Sequence, residues 1–208
     1  LDGFVIRVLS AGTASFSVRV SERDSGTFVD DDGNIHEANI EAIAEVGITK
    51  GCNPPDNDRY CPSRAVTRGE MAAFLIRSLG LEGSLVSYQG TFPDVAEGAW
   101  FTPYVETLAA EGITTGYKDG TYRPDSTVSR AEMAVFLIRA FPPDTLQPAT
   151  GIFADVPVTA WYADEAERIY VDGITRGCQT DPLSYCPNDS VLRDQMASFL
   201  ARALGIDV

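Results

Sequence analysis

The amino-acid sequence predicts a mainly α-helical protein built from three helix–loop–helix repeats. One observation is a phrase that occurs three times, in which an arginine precedes an apolar run and a second arginine ends it, at 66–77, 128–139 and 191–202. Another is a shorter stretch before each phrase, whose apolar residues recur at the i, i+3 and i+4 spacing of an amphipathic helix. Because one helix pair is too small to bury its own apolar face, we expect the three units to share a core.

Composition and charge limit the partners. Of the 208 residues, 44% are hydrophobic and 22% are charged, which is typical of a globular protein. The formal net charge of -14 argues against nucleic acid as a partner, because binding to phosphates requires a basic surface. No apolar run is long enough to cross a bilayer, so we also expect no membrane insertion.

The first 25 residues differ from the rest and are predicted to form a short β hairpin. Phe16, Val18 and Val20 alternate with polar residues, as they would in a strand with one buried face. A lone hairpin is marginally stable in water, so residues 1–25 are interpreted as the tail of an upstream domain or as a linker. The start at Leu1 lacks a signal-like segment and is expected to be that of a mature or trimmed fragment.

Three repeats follow, with predicted boundaries at 26–81, 82–141 and 142–208. Each opens with Phe-x-Asp, and six residues after the aspartate come His36, Trp100 and Trp161. The first helix of each repeat should end at a shared phrase, Gly-Ile-Thr-x-Gly, which stands at 47–51, 112–116 and 173–177. A glycine directly after a helix suits a left-handed C-terminal cap.

The four cysteines form two close pairs, Cys52 with Cys61 and Cys178 with Cys186, each around a polar loop. Zinc would require closer cysteine pairs or more histidines than the single His36. Two local disulfides are therefore predicted, each stabilising the fold by roughly 2 to 3 kcal/mol through loop closure in the unfolded chain. Disulfides imply an oxidising location, so the protein is expected to be exported.

The sequence resembles the S-layer homology domain in four features and in their spacing. These are Phe-x-Asp, the aromatic residue six positions after its aspartate, Gly-Ile-Thr-x-Gly, and Thr/Ser-Arg-x-Glu before an apolar helix. The resemblance covers about residues 26–206. It implies a pseudo-threefold bundle of repeats and non-covalent anchoring of a bacterial protein to cell-wall polysaccharide, typically one that carries ketal-linked pyruvate. By position, it assigns polymer binding in grooves between repeats to Arg68, Arg130 and Arg193.

The chain departs from the family pattern in two repeats. Unit one has His36 where the other units have tryptophan. Unit three has Leu192 and Gln195 where the phrase has Thr/Ser and Glu.

The residues beside these arginines have a structural interpretation. Thr67 with Glu70, and Ser129 with Glu132, have the spacing of a capping box, in which the hydroxyl accepts from the third amide and the carboxylate accepts from the amide of the cap residue. These four residues are therefore interpreted as caps of the second helices.

Arg68, Arg130 and Arg193 have no such local explanation. Each would lie at the first helical position, where the helix dipole disfavours a cation by roughly a few tenths of a kcal/mol. Free helix amides and a guanidinium together form an anion site, and the planar guanidinium matches a carboxylate. The alternative is an Arg–Asp/Glu bridge between repeats.

Four more residues are candidate ligand contacts. Lys50 and Arg176 lie inside the glycine phrase and would either add positive charge to a groove or stay solvated on the surface. Trp100 and Trp161 would form a wall for sugar stacking, although their aromatic neighbours favour core packing instead. The arginines that end the second helices are predicted to complement the helix dipole; they are Arg77, Arg139 and Arg202.

No catalytic or metal site stands out in the sequence. The chain has one histidine, both cysteine pairs are expected to be oxidised, and no Ser–His–Asp phrase occurs. Asp30, Asp32, Asn34 and Glu41 have the spacing of part of a calcium loop, but Ile35 stands where that loop requires glycine. We therefore expect no enzyme, no cofactor and no metal.

The function predicted from the sequence is that of a cell-wall anchoring module at a bacterial cell surface, which binds an anionic polysaccharide through arginines at helix N-termini in grooves between repeats. The alternative is a structural or self-association module of a surface layer without glycan affinity, since an acidic chain repels a polyanion except at local basic spots. In a third interpretation, an upstream enzyme or adhesin carries the activity.

Overall fold

The computed structural model describes residues 26–208. Within that range the chain forms six α-helices, namely α1 (Glu37–Glu45), α2 (Arg68–Ser78), α3 (Thr102–Ala110), α4 (Arg130–Ala140), α5 (Ala163–Val171) and α6 (Arg193–Leu204), with one 3₁₀ turn at Glu82–Ser84 and a two-stranded antiparallel hairpin, β1 (Gln179–Thr180) and β2 (Leu183–Ser184). The predicted mainly helical class is confirmed. The β hairpin predicted at 1–25 lies outside the described residues. None of the described helices is long and apolar enough to span a bilayer.

The helices pair between units rather than within them. Helix α2 packs on α3, α4 packs on α5, and α6 returns to pack on α1. The second helix of each unit therefore covers the first helix of the next unit, and the cycle closes from unit three to unit one. Met71, Met133 and Met196 of the second helices are fully buried and belong to a single hydrophobic cluster, as expected for units that share a core.

Three backbone hydrogen bonds join the segments that lead into the second helices. The amide of Val66 donates to the carbonyl of Val191, that of Val191 to Val128, and that of Val128 to Val66, each at 2.9 Å. All three valines are completely buried. This cycle is the connectivity that a pseudo-threefold bundle requires.

The aspartate of each Phe-x-Asp phrase holds the loop of its own unit. The Asp94 carboxylate accepts hydrogen bonds from the amides of Tyr122 (2.8 Å) and Arg123 (2.6 Å). Asp30 and Asp155 bind the amides at the matching places, at 2.6–3.0 Å and 2.7 Å. The phrase therefore fixes the end of the loop from which the second helix starts.

Both predicted disulfides are present, Cys52–Cys61 and Cys178–Cys186, with Cα–Cα distances of 6.1 and 6.0 Å. Unit two closes the same loop with a cation–π contact, in which the Arg123 guanidinium lies 4.1 Å from the centroid of the Tyr117 ring. Arg123 and its two cysteine counterparts all have a positive φ near 60°. The same loop is thus closed by a disulfide in units one and three and by a cation–π contact in unit two.

A glutamate on each first helix binds the segment that enters its unit. The Glu106 carboxylate accepts from the amides of Gln89, Gly90 and Thr91 at 3.0–3.3 Å and from the Thr91 hydroxyl. Glu167 and Glu41 do the same for the segments at 150–152 and 27–28. The sequence interpretation missed this role, although glutamate directly follows the first apolar residue of the stripe in every unit.

Candidate functional site

The N-termini of α2 and α4 carry the capping boxes that their sequences predict. The Glu70 amide donates to the Thr67 hydroxyl at 3.2 Å, and the Glu70 carboxylate accepts from the Thr67 amide at 3.0 Å. Ser129 and Glu132 make the same pair of bonds. Helix α6 has only the second half of this arrangement, because Leu192 has no hydroxyl and only the Gln195 side chain reaches back, at 3.3 Å.

The first residue of each second helix is a buried arginine. Arg68, Arg130 and Arg193 expose 4%, 5% and 2% of their surface. Each Nε donates at 2.7 Å to the carbonyl of a tyrosine in the next unit, and that tyrosine's hydroxyl donates back to the arginine's own carbonyl at 2.7–2.9 Å. The tyrosines are Tyr122, Tyr185 and Tyr60, in that order. The arginines therefore connect unit one to two, two to three, and three to one.

Two of the three arginines also form a buried ion pair. Arg68 Nη1 lies 3.1 Å from Glu132 Oε1, and Arg193 Nη1 lies 3.0 Å from Glu70 Oε1. The bridge between repeats that the sequence left open as an alternative is therefore present at these two positions. At the position where Glu132 faces Arg68 and Glu70 faces Arg193, the neutral Gln195 is the counterpart for Arg130.

The expectation that free helix amides complete an anion site is wrong. The amides of Arg68 and Gly69, the first two of α2, donate to the carbonyls of Ser126 and Pro124 at 2.9 and 2.8 Å. Helices α4 and α6 use carbonyls of units three and one in the same way, at 2.9–3.1 Å. Anything that binds at these helix N-termini must rely on side chains, because the entry segment of the neighbouring unit already occupies the amides.

Beside each second helix lies a groove that residues of several units border. Groove 1, beside α2, has a volume of about 510 Å³ and is bordered by Lys50, Glu70, Trp100 and Arg193. Lys50 is held at 2.7 Å by Glu82, which also accepts from Arg77 at 3.1 Å. The hydrogen bond from Lys50 is the largest of the causes that lower the pKa of Glu82, to about 2.

Groove 2, beside α4, also has a volume of about 510 Å³ and is bordered by Arg68, Lys118, Glu132 and Trp161. The Tyr117 hydroxyl donates to Glu132 Oε1 at 2.5 Å. Although burial raises the pKa of Glu132, hydrogen bonds from Tyr117 and Ser129 leave it below its ordinary value, so this carboxylate stays ionised. Lys50 and Arg176 of the other glycine phrases correspond to the neutral Thr115 in unit two, and Lys118 provides the positive charge of groove 2 instead. The sequence interpretation missed Lys118.

Groove 3, beside α6, has a volume of about 520 Å³ and is bordered by Arg130, Asp189, Leu192 and Gln195. Arg130 Nη2 donates to the Thr175 hydroxyl at 3.3 Å. Arg176 is exposed on the preceding glycine phrase. The structure thus brings Arg130 of unit two and Gln195 of unit three to the same groove.

The tryptophans are surface residues. Trp100 and Trp161 are 57% and 66% exposed, so the interpretation as core residues is wrong. Their neighbours Phe101 and Tyr162 pack against the core instead, and each tryptophan rests edge-on against its neighbour at 5.5 and 5.3 Å between ring centroids. His36, the residue corresponding to the tryptophans, has its Nδ1 2.7 Å from the Ser198 hydroxyl of α6.

The arginines that end the second helices lie in the last turn, as predicted. Arg139 and Arg202 also donate to the carbonyls of Ile113 and Ile174, at 3.4 and 3.1 Å. These carbonyls belong to the glycine phrases. In α4 and α6 the arginine therefore ties the end of the helix to the glycine phrase of the same unit, in addition to complementing the dipole, whereas Arg77 of α2 donates to Glu82 and Tyr104.

The fold and the grooves define a repeat-built helical module whose basic and aromatic side chains meet where units join. The model of the S-layer homology domain family matches residues 91–134, and the chain therefore carries an S-layer homology domain. This confirms the resemblance to the family, and the match itself covers part of unit two. The matched segment runs from the Phe-x-Asp phrase of unit two into the first turns of α4.

Several curated bacterial proteins are similar to this chain. A cellulosome-anchoring protein of Acetivibrio thermocellus is 36% identical over 136 residues, which are 62% of this chain and 29% of that protein. An exoglucanase of the same species is 30% identical over 183 residues, 86% of this chain and 15% of the enzyme. An S-layer protein of Bacillus thuringiensis subsp. finitimus is 27% identical over 166 residues, which are 78% of this chain and 19% of that protein. The chain thus spans less than a third of each of these relatives.

Proposed function

We propose that this chain is a non-catalytic anchoring module that binds an anionic, pyruvate-bearing polysaccharide of the bacterial cell wall. The observation that carries the proposal is the pairing, in grooves 1 and 2, of a buried guanidinium with an exposed tryptophan. A guanidinium recognises a carboxylate by charge and by its planar donors. An exposed indole offers an apolar face to a sugar ring, and such a residue is otherwise unfavourable in water.

The similar proteins support this proposal. They include an anchoring protein, a surface-layer protein and an enzyme, which match this chain over 15 to 29% of their own length. A module that recurs beside unrelated partners is explained by a common location rather than by a common reaction. We place the protein outside the cell, where its two disulfides persist.

Replacing both tryptophans, Trp100→Ala with Trp161→Ala, is expected to weaken binding to purified cell walls on the order of 100-fold, because a polymer that engages several grooves at once loses its contacts in grooves 1 and 2. Because both side chains are exposed, the unfolding midpoint should stay within a few degrees of the parent's. Co-sedimentation with cell walls at several protein concentrations measures the affinity. The control is Tyr88→Ala, which removes an exposed aromatic residue that borders none of the three grooves.

Two results would count against the proposed ligand. One is equal binding of the parent protein to walls from which the anionic polymer has been extracted. The other is unchanged binding by the double tryptophan variant. The first result would remove the polysaccharide from the proposal, and the second would remove the tryptophans of grooves 1 and 2 as a source of affinity. Both would leave the fold description intact.

Self-association in a surface layer is the second candidate, and the net charge of -14 favours it because a polyanionic polymer is repelled by most of this surface. Light scattering across a concentration range distinguishes the two. A module that assembles without polymer increases in mass with concentration, whereas a polysaccharide anchor stays at one mass until the polymer is added.

A further inference from the structure

The three grooves differ in the charge that faces their buried arginine. In groove 1 the Glu70 carboxylate lies 3.0 Å from Arg193, and in groove 2 the Glu132 carboxylate lies 3.1 Å from Arg68. In groove 3 the same position on the helix is occupied by the neutral amide of Gln195. Among residues 26–208, Arg130 therefore forms no ion pair.

Arg130 is nevertheless 95% buried and charged. It contacts neutral groups: its Nε and Nη2 donate to the Tyr185 carbonyl and the Thr175 hydroxyl, and its guanidinium lies 4.8 Å from the Tyr185 ring centroid. Burial lowers the pKa of this arginine, but a guanidinium still stays protonated at neutral pH. A buried charge without a counter-ion is costly, and an anion that reaches it recovers much of that cost.

Two acidic side chains lie near Arg130 without forming an ion pair with it. Burial has the largest effect on the pKa of Arg130 and lowers it, whereas the charges of Asp189 and Asp155 have the smaller and opposite effect. Asp189 borders the groove, but its side chain is exposed, and it is its backbone carbonyl that accepts from the Arg130 amide, at 2.9 Å. Arg176 is exposed and lies close enough to Arg202 to lower the pKa of Arg202, after the larger effect of burial. The guanidinium of Arg130 therefore has no carboxylate in contact with it, unlike those of Arg68 and Arg193.

We propose that groove 3 is the preferred seat for the carboxylate of an acidic cell-wall sugar, and that Gln195 is the residue that determines this preference. This inference rests on the proposed function. In grooves 1 and 2 an incoming carboxylate competes with Glu70 or Glu132 for the guanidinium, whereas groove 3 offers no such competitor. Since His36 replaces the tryptophan on this side, groove 3 selects its ligand by charge more than by stacking.

The test uses a hexose methyl glycoside with a 4,6-linked pyruvate ketal as the probe, and its uncharged methyl ester as the control. The Nε–Hε NMR signals of Arg68, Arg130 and Arg193 report on one groove each. We expect the Arg130 signal to respond at the lowest probe concentration. Gln195→Glu should weaken binding at groove 3 about tenfold, because it supplies the missing competitor.

A matched variant makes the reverse change in groove 2. Glu132→Gln removes the competitor of Arg68 while keeping a side-chain oxygen that caps Ser129, as Gln195 does for Leu192. It should tighten binding at groove 2 by about the same factor. Thermal unfolding of both variants checks that the fold is retained.

The outcomes separate the two proposals. If Arg68 and Arg193 respond to the probe and Arg130 does not, or if Gln195→Glu leaves binding at groove 3 unchanged, the inference about groove 3 is overturned and the anchoring function stands. If none of the three signals responds, both are overturned. An equal response to the methyl ester would remove the role of charge in all three grooves.

Discussion

Arg193→Ala is expected to lower the free energy of unfolding by about 3 to 5 kcal/mol, the cost of removing one partner from a buried ionic pair. The Arg193 side chain donates to the Tyr60 carbonyl at 2.7 Å and pairs with Glu70 at 3.0 Å. Without it, the Tyr60 carbonyl loses its charged donor inside the core. The effect is large because this contact joins unit three to unit one and so closes the cycle of repeats.

Urea denaturation followed by circular dichroism measures this change. Arg176→Ala is the control, because it removes the same charge from an exposed position and should change stability by less than about 0.5 kcal/mol. An Arg193→Ala protein as stable as the parent would show that the guanidinium is not a structural link between repeats. Loss of binding in such a variant cannot by itself be assigned to ligand contact, because the same side chain supports the fold.

This structural role could not be read from the sequence. The sequence places Arg193 at a helix start, and the structure does so too. Its partner Tyr60 is 133 residues away, and only the closing of the cycle brings the two together. The periodicity of a repeat predicts its helices and caps, because these depend on residues close in sequence. It does not predict which unit supplies the carbonyl that accepts a hydrogen bond from each arginine.

The same limit explains the helix amides. From one unit alone, the amides at the start of α2 look free, since nothing nearby in sequence can bind them. They are occupied by the Ser126 and Pro124 carbonyls of the next unit. A shared core implies that the units contact one another. It does not imply that the segment leading into the second helix of one unit lies across the N-terminus of the second helix of another. By contrast, the role of Glu106 was accessible, because glutamate recurs at that place in all three units.

A buried carboxyl in unit one is a departure from the repeat with a measurable cost. Val95 and Val156 follow the aspartate of the opening phrase in units two and three and are buried. Unit one has Asp31 there, 1% exposed, and its Oδ2 has no hydrogen-bond partner within the described part of the chain. Burial, and then the nearby charge of Glu41, raise the pKa of Asp31 to about 6.

The raised pKa makes the stability of the module depend on pH. In the unfolded chain Asp31 titrates near its ordinary value of about 3.9, so the folded state binds its proton more tightly. The stability that this provides is complete below pH about 4 and is lost as the pH rises through about 6. Above that pH, the ionised carboxylate is buried beside Glu41, at a cost of up to about 3 kcal/mol.

Asp31→Val is therefore expected to stabilise the protein at pH 7.5 by up to about 3 kcal/mol, and by much less at pH 4. The variant restores the residue that the other two units use at this position. Denaturant unfolding of parent and variant at several pH values from 4 to 8 gives the difference in stability at each. Because all other carboxyls are common to both proteins, the difference isolates Asp31. A difference that does not change with pH would show that Asp31 is ionised throughout and that its burial is compensated by another group.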